Sequence, residues 1–226
     1  MNLLRFPFAA GFLCVMLASC SSGPKQPDWQ LEAKGSIDRS VAAYLEGNSR
    51  VEAAEFARAK TEIASTGRID LMAKAELLRC ASHVASLSFE PCAGFEKLRL
   101  DAAPAERAYA DYLAGKLQPQ DAALLPQAQR AAATVGEAAI KSIADPLSQL
   151  VAAGVALQAG RASAALVQTA VDAASSQGWR RPLLAWIGVQ ASLADKAGAV
   201  EEAARLRRRI ALVQGSAEAT SKQPVK

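Results

Sequence analysis

Cysteine and histidine are the side chains best suited to covalent or metal chemistry, and this chain of 226 residues carries only four Cys and one His. Cys80 and His83 are three residues apart, a spacing that brings both to one face of a helix. A thiol beside an imidazole base is how a cysteine nucleophile is built. Apolar helical surroundings act against it, because they disfavour the thiolate. Zinc would need further ligands beside one His, and only Cys80 and Cys92 are at hand. No Gly-x-Ser-x-Gly elbow and no glycine-rich phosphate loop occurs. The one Ser-x-x-Lys match, Ser22 to Lys25, sits in a polar stretch with Gly23 and Pro24 that holds nothing in place. The expectation is therefore no catalytic residue, no metal and no cofactor: not an enzyme.

Charge and aromatic residues suggest surfaces instead. Glu201 and Glu202 precede Arg205, Arg207, Arg208 and Arg209 at spacings that suit ion pairs along a solvated helix face. The competing reading is a basic patch that meets lipid headgroups, lipopolysaccharide phosphates or an acidic partner. Trp179 and Trp186 flank Arg180, Arg181 and Pro182. Trp186 is expected in the core, whereas Trp179, following Gly178, joins Arg180 and the four later arginines as a candidate contact surface.

The N-terminus speaks to location. Arg5 is followed by an apolar run from Phe6 to Ala18, and Leu17-Ala18-Ser19-Cys20 closes it. A charged start, a short apolar stretch and small residues at its end make a secretory signal peptide. The stretch is shorter than the roughly 20 residues of a spanning helix. Its last four residues resemble the lipobox of bacterial lipoproteins; an ordinary signal peptide with an incidental Cys is the alternative. The resemblance implies cleavage before Cys20, a thioether-linked diacylglycerol on its sulfur and an acylated (typically palmitoylated) N-terminus. Two or more acyl chains anchor a protein stably, where one does so marginally. Ser21, in place of the Asp of inner-membrane retention, implies the periplasmic face of the outer membrane.

Residues 1–19 are thus read as signal peptide, and 20–28 as the lipidated Cys and a flexible tether through Ser21-Ser22-Gly23-Pro24. Residues 29–214 are read as one helical domain and 215–226 as a disordered tail. A net charge of +4 is too mild to argue for nucleic acid. Cys14 leaves with the signal peptide and Cys20 takes the lipid, so Cys80 and Cys92 remain in an oxidising compartment. A disulfide between them requires α-carbons within about 7 Å. The helix through Cys80 must then end near Ala85, or Ser86 to Pro91 must fold back along it. Two buried free thiols are the other possibility.

The elements that would position these groups are all helical. Alanine is abundant, while aromatics make up 5% of the chain, a composition suited to short, closely packed helices and poor for sheets. Ser49 and Glu52 read as a capping box opening a helix that stops near Gly67. Helices are further expected over 68–85, from Pro91 to Leu98, from Pro104 to Gly115 and from Pro119 to Ala144 with a break at Pro126. Others run from Pro146 to Gly160, from Arg161 to Ser176, from Pro182 to Ala197 and from Ala199 to Val213. Gly47, Gly115, Gly160 and Gly198 each end a helix, and an alanine pair follows each: Ala53-Ala54, Ala122-Ala123, Ala164-Ala165 and Ala203-Ala204. The pattern predicts helical hairpins in which the paired alanines allow close packing. Over Pro182 to Leu212, with small Ala191, Gly198 and Ala203, the chain resembles a tetratricopeptide repeat. It departs from that family at Gln190, Ala194 and Arg207, where larger or apolar residues belong.

The fold class expected is all-α, as stacked antiparallel hairpins of a tetratricopeptide-like α-solenoid, with an irregular helical bundle as the alternative. The expected function is a membrane-anchored, non-enzymatic scaffold or assembly adaptor with a protein partner in the periplasm or outer membrane. The alternative is a binder of an envelope polymer or lipid headgroup through the basic C-terminal helix.

Overall fold

The computed structural model describes residues 27–221, with side chains to residue 215. The signal peptide and Cys20 lie outside the described residues, as do the tether up to Gln26 and residues 222–226 of the tail. The described residues are all-α. They form helices α1 (Asp28–Glu46), α2 (Ser49–Ala64), α3 (Ile69–Ala85), α4 (Ala93–Glu96), α5 (Pro104–Leu113), a 3₁₀ turn (Pro119–Leu124), α6 (Gln127–Val135), α7 (Glu137–Lys141), α8 (Pro146–Gln158), α9 (Ala164–Ser176), α10 (Arg180–Lys196) and α11 (Val200–Ser221). α11 runs past Gly215, where the sequence predicts a tail.

Local chemistry sets most boundaries. Pro104 and Pro146 occupy first-turn positions, where the missing N–H has no helical partner to lose. The Asp145 side chain accepts the Ser148 N–H at 2.8 Å, and Ser163 Oγ accepts the Leu166 N–H at 3.1 Å. One cap differs from expectation: α2 is capped by Asn48, whose Oδ1 accepts the Val51 N–H at 3.2 Å, and not by a Ser49–Glu52 box. Ser49 is drawn instead to Arg181 of α10, and Glu52 to Arg79 of α3.

The glycine stops form as expected. At Gly47, with φ 94°, the Asn48 N–H reaches back to Ala43 O at 2.7 Å and closes the end of α1. The same closure recurs at Gly115, Gly160, Gly178 and Gly198. Of the four alanine pairs, two pack as expected, with Ala122 and Ala203 buried, and two do not. Ala53, Ala54, Ala164 and Ala165 are exposed, and the buried stripe falls on Phe56, Ala59 and Ile63 in α2 and on Leu166, Val167 and Ala170 in α9. Both exposed pairs lie on the outer face of their helices, off the stripe that packs inward.

Hairpins are present as α1–α2, α8–α9, α9–α10 and α10–α11. In an open solenoid each repeat touches only its neighbours. Here α3 also packs on α8 and α1 on α10, so the stack closes on itself. α8 comes up against the backbone of α3 at Gly154, where a Cβ would stand 2.5 Å from Val84 O. Trp186 of α10, 0% exposed, donates its indole N–H to Ala85 O at 3.0 Å. That carbonyl is in the last turn of α3, where helical partners run out. A smaller cluster of Ala33, Phe56, Ile63 and Ala75 joins α1, α2 and α3.

Candidate functional site

α3 does carry both members of the Cys–His pair, but the Cys80 sulfur is bonded to Cys92, with α-carbons 5.8 Å apart. The geometric condition is met as the sequence requires, for α3 ends at Ala85 and the chain turns back. Leu87 makes the turn with φ 60°, and the Ser88 N–H donates to His83 O at 3.0 Å. A left-handed leucine costs about 1 kcal/mol; its half-buried side chain packs on the core and offsets part of that cost.

His83 lies flat against Tyr44, with ring centroids 4.2 Å apart, and its Nε2 has no hydrogen-bond partner. Arg181 covers the Tyr44 ring at 4.3 Å. Its Nε donates to Tyr44 O at 2.6 Å and an Nη to Ser49 Oγ at 2.8 Å. Burial, aided by the Arg79 charge, holds His83 below its ordinary pKa. Burial raises the Tyr44 hydroxyl, against the opposing pull of Arg181. With His83 protonation disfavoured and Cys80 oxidised, this cluster works as a joint between α1, α3 and α10.

Sequence reasoning missed three buried carboxylates. Glu52, 4% exposed, accepts from Arg79 Nε at 2.6 Å; Glu55 from Arg39 and Arg58, both at 2.9 Å; and Glu76 from Lys60 at 3.0 Å. The signal was available. Glu52, Glu55, Phe56, Ala59 and Ile63 share one helical stripe, so two acids fall on an otherwise apolar face.

The candidate contact surface divides in two. Trp179 is half-buried against the core. Arg180 Nε donates to Glu46 O at 3.0 Å, which ties α10 to the end of α1. Arg205 is paired with Glu202, and Arg207 grips Asp195 with contacts of 2.9 and 2.7 Å. Arg208 is exposed and Arg209 half-buried, and neither has an ion pair among the described residues. Asp195 is at the other end of α10 from Arg180, about 20 Å away at 1.5 Å per residue.

Several hollows open between the helices among the described residues. One, about 460 Å³, borders the disulfide and is lined by Phe89, Glu90, Cys92, Arg99, Asp111 and Lys116. There Arg99 is already held by Glu96 at 2.7 Å and Asp111 at 3.0 Å. A second, about 380 Å³, lies by Tyr112, Leu117 and Arg161. A third, about 350 Å³, is walled by Leu77, Leu78, Tyr109, Leu124, Leu125 and Pro126, with Lys74 and Glu106 at its polar edge.

No group of three or more His, Cys, Asp or Glu is arranged to hold a metal among the described residues. No described helix is long and apolar enough to cross a membrane. Comparisons with protein-family models, with curated proteins and with solved structures find no match to this chain.

Proposed function

We propose that the chain is a lipid-anchored, non-enzymatic scaffold or assembly adaptor of the bacterial cell envelope, held at the periplasmic face of the outer membrane. The observation that carries this reading is Leu17-Ala18-Ser19-Cys20 at the end of a charged, then apolar, leader. A disulfide between Cys80 and Cys92 agrees with export to an oxidising compartment. The helical body adds a surface with hollows between helices, the kind of relief that receives partner side chains.

The test has two parts. Mass spectrometry of the detergent-extracted protein should find a new N-terminus at Cys20 carrying acyl groups, and Cys20→Ser should leave the membrane fraction. An intact, unmodified leader would overturn the location. A photo-crosslinking residue at Leu124, which is 41% exposed beside the apolar hollow, should capture one envelope protein reproducibly. A chain that crosslinks to nothing at Leu124 or at other exposed sites, with its anchor intact, would overturn the adaptor role.

The second reading, a binder of envelope polymer or lipid headgroups, is favoured by Arg208, an exposed cation without an ion pair among the described residues. Binding that weakens steeply with salt, and is lost when Arg207, Arg208 and Arg209 are replaced together, selects it.

A further inference from the structure

Glu106, which lines the hollow between α3 and α5, carries a carboxylate oxygen with no hydrogen bond to accept. Glu106 lies in the first turn of α5, where the helix dipole suits a negative charge. Its side chain is 12% exposed. Neither oxygen receives a hydrogen bond: Oε2 is buried without a partner, and Oε1 has only Lys74 Nζ at 3.7 Å. That separation is beyond hydrogen-bonding range, and Lys74 is itself 59% exposed. A buried carboxylate without donors is costly. The other buried carboxylates show the contrast, since Glu52, Glu55 and Glu76 each accept from a cation at 3.0 Å or less.

The remaining walls are apolar. Leu77 and Leu78 come from α3, Tyr109 from the same face of α5 as Glu106, Leu124 from the end of the 3₁₀ turn, and Leu125 and Pro126 from the residues after it. The volume, about 350 Å³, lies within the roughly 300–1,000 Å³ range of small-ligand pockets. The terminal torsion of a glutamate is broad, so its carboxylate can turn the unpartnered oxygen toward the hollow.

From this juxtaposition we infer that the hollow is a binding site for a small apolar amine, whose ammonium hydrogen-bonds to Glu106 and whose hydrocarbon or aromatic body fills the leucine–tyrosine walls. The cation supplies the missing donors and takes over the long contact now made by Lys74. Tyr109 adds an aromatic ring near the bound charge.

The test is an amide chemical-shift titration of the full chain carrying Cys20→Ser, so that no acyl group competes for the probe. 2-Phenylethylamine should give saturable shifts centred on residues 105–109 and 124–126. Phenylacetate, similar in size and opposite in charge, should bind at least about tenfold more weakly. Glu106→Gln keeps the shape and should weaken the amine about tenfold or more. Ala105→Trp, at an exposed position lining the hollow, should block it; circular dichroism confirms that both variants stay helical. The proposal is overturned by equal affinity for the two probes, by amine binding that survives Glu106→Gln or Ala105→Trp, or by no saturable shift at all. The adaptor reading is untouched by any of these results, because it is read from lipidation and crosslinking.

Discussion

The rings of Tyr44 and His83 are stacked within 8° of parallel, one from α1 and the other from α3. Around them stand Arg79, Glu52, Glu90 and Arg181, so a charge on His83 changes the joint that the first, third and tenth helices share.

A pH dependence follows. Burial, then Arg79, lowers the folded-state pKa of His83 below its ordinary 6.5. Below that value the unfolded chain binds a proton that the folded chain resists, so stability falls as pH drops. Urea midpoints should decrease from pH 7 to pH 5. His83→Phe, which keeps a ring for Tyr44, should flatten that decrease; an unchanged slope would place its origin in other groups.

The Gly154–Val84 approach predicts opposite signs for two alanine substitutions. Gly154→Ala would press a methyl against a backbone oxygen and should destabilise by about 1–3 kcal/mol. Gly188 lies within α10 with nothing near its missing Cβ, so Gly188→Ala should stabilise by about 0.5–1 kcal/mol. Denaturant titration of the pair reads both.

Trp186→Phe should cost about 2–3 kcal/mol. It deletes buried volume and leaves Ala85 O without the indole N–H it now receives. A loss below about 0.5 kcal/mol would mean that the end of α3 finds another donor.

Removing the bridge with Cys80→Ser and Cys92→Ser together should destabilise by about 3 kcal/mol, from loop entropy in the unfolded chain. At this size that lowers the melting temperature by about 6–12 °C. Reductant should lower the wild-type protein similarly and leave the double variant unmoved.

Much of the helical framework could be read from the chain itself. Asp145-Pro146, Pro104 and the glycine stops act through their own neighbours, so local sequence suffices to locate them. Asn48 and Ser49 are both good caps, and the choice fell to Asn48 while Arg181, far along the chain, engages Ser49. The faces were harder. Ala53 and Ala54 have suitable side chains for close packing, but which way α2 turns depends on where α1 and α3 lie. Glu106 gave no sign in sequence, because an acid in a first turn is ordinary until the walls around it are seen to lack donors.

The Arg181 clasp onto Tyr44 and Ser49 gives the body the mechanics of a closed ring, not of a stack of coins. A terminal hairpin of an open array can peel away alone, whereas here loosening α1 also strips α10 of one of its partners. Unfolding should therefore occur in one cooperative step, and folding should be slower than in arrays built from neighbours alone, because residues more than a hundred positions apart must meet first.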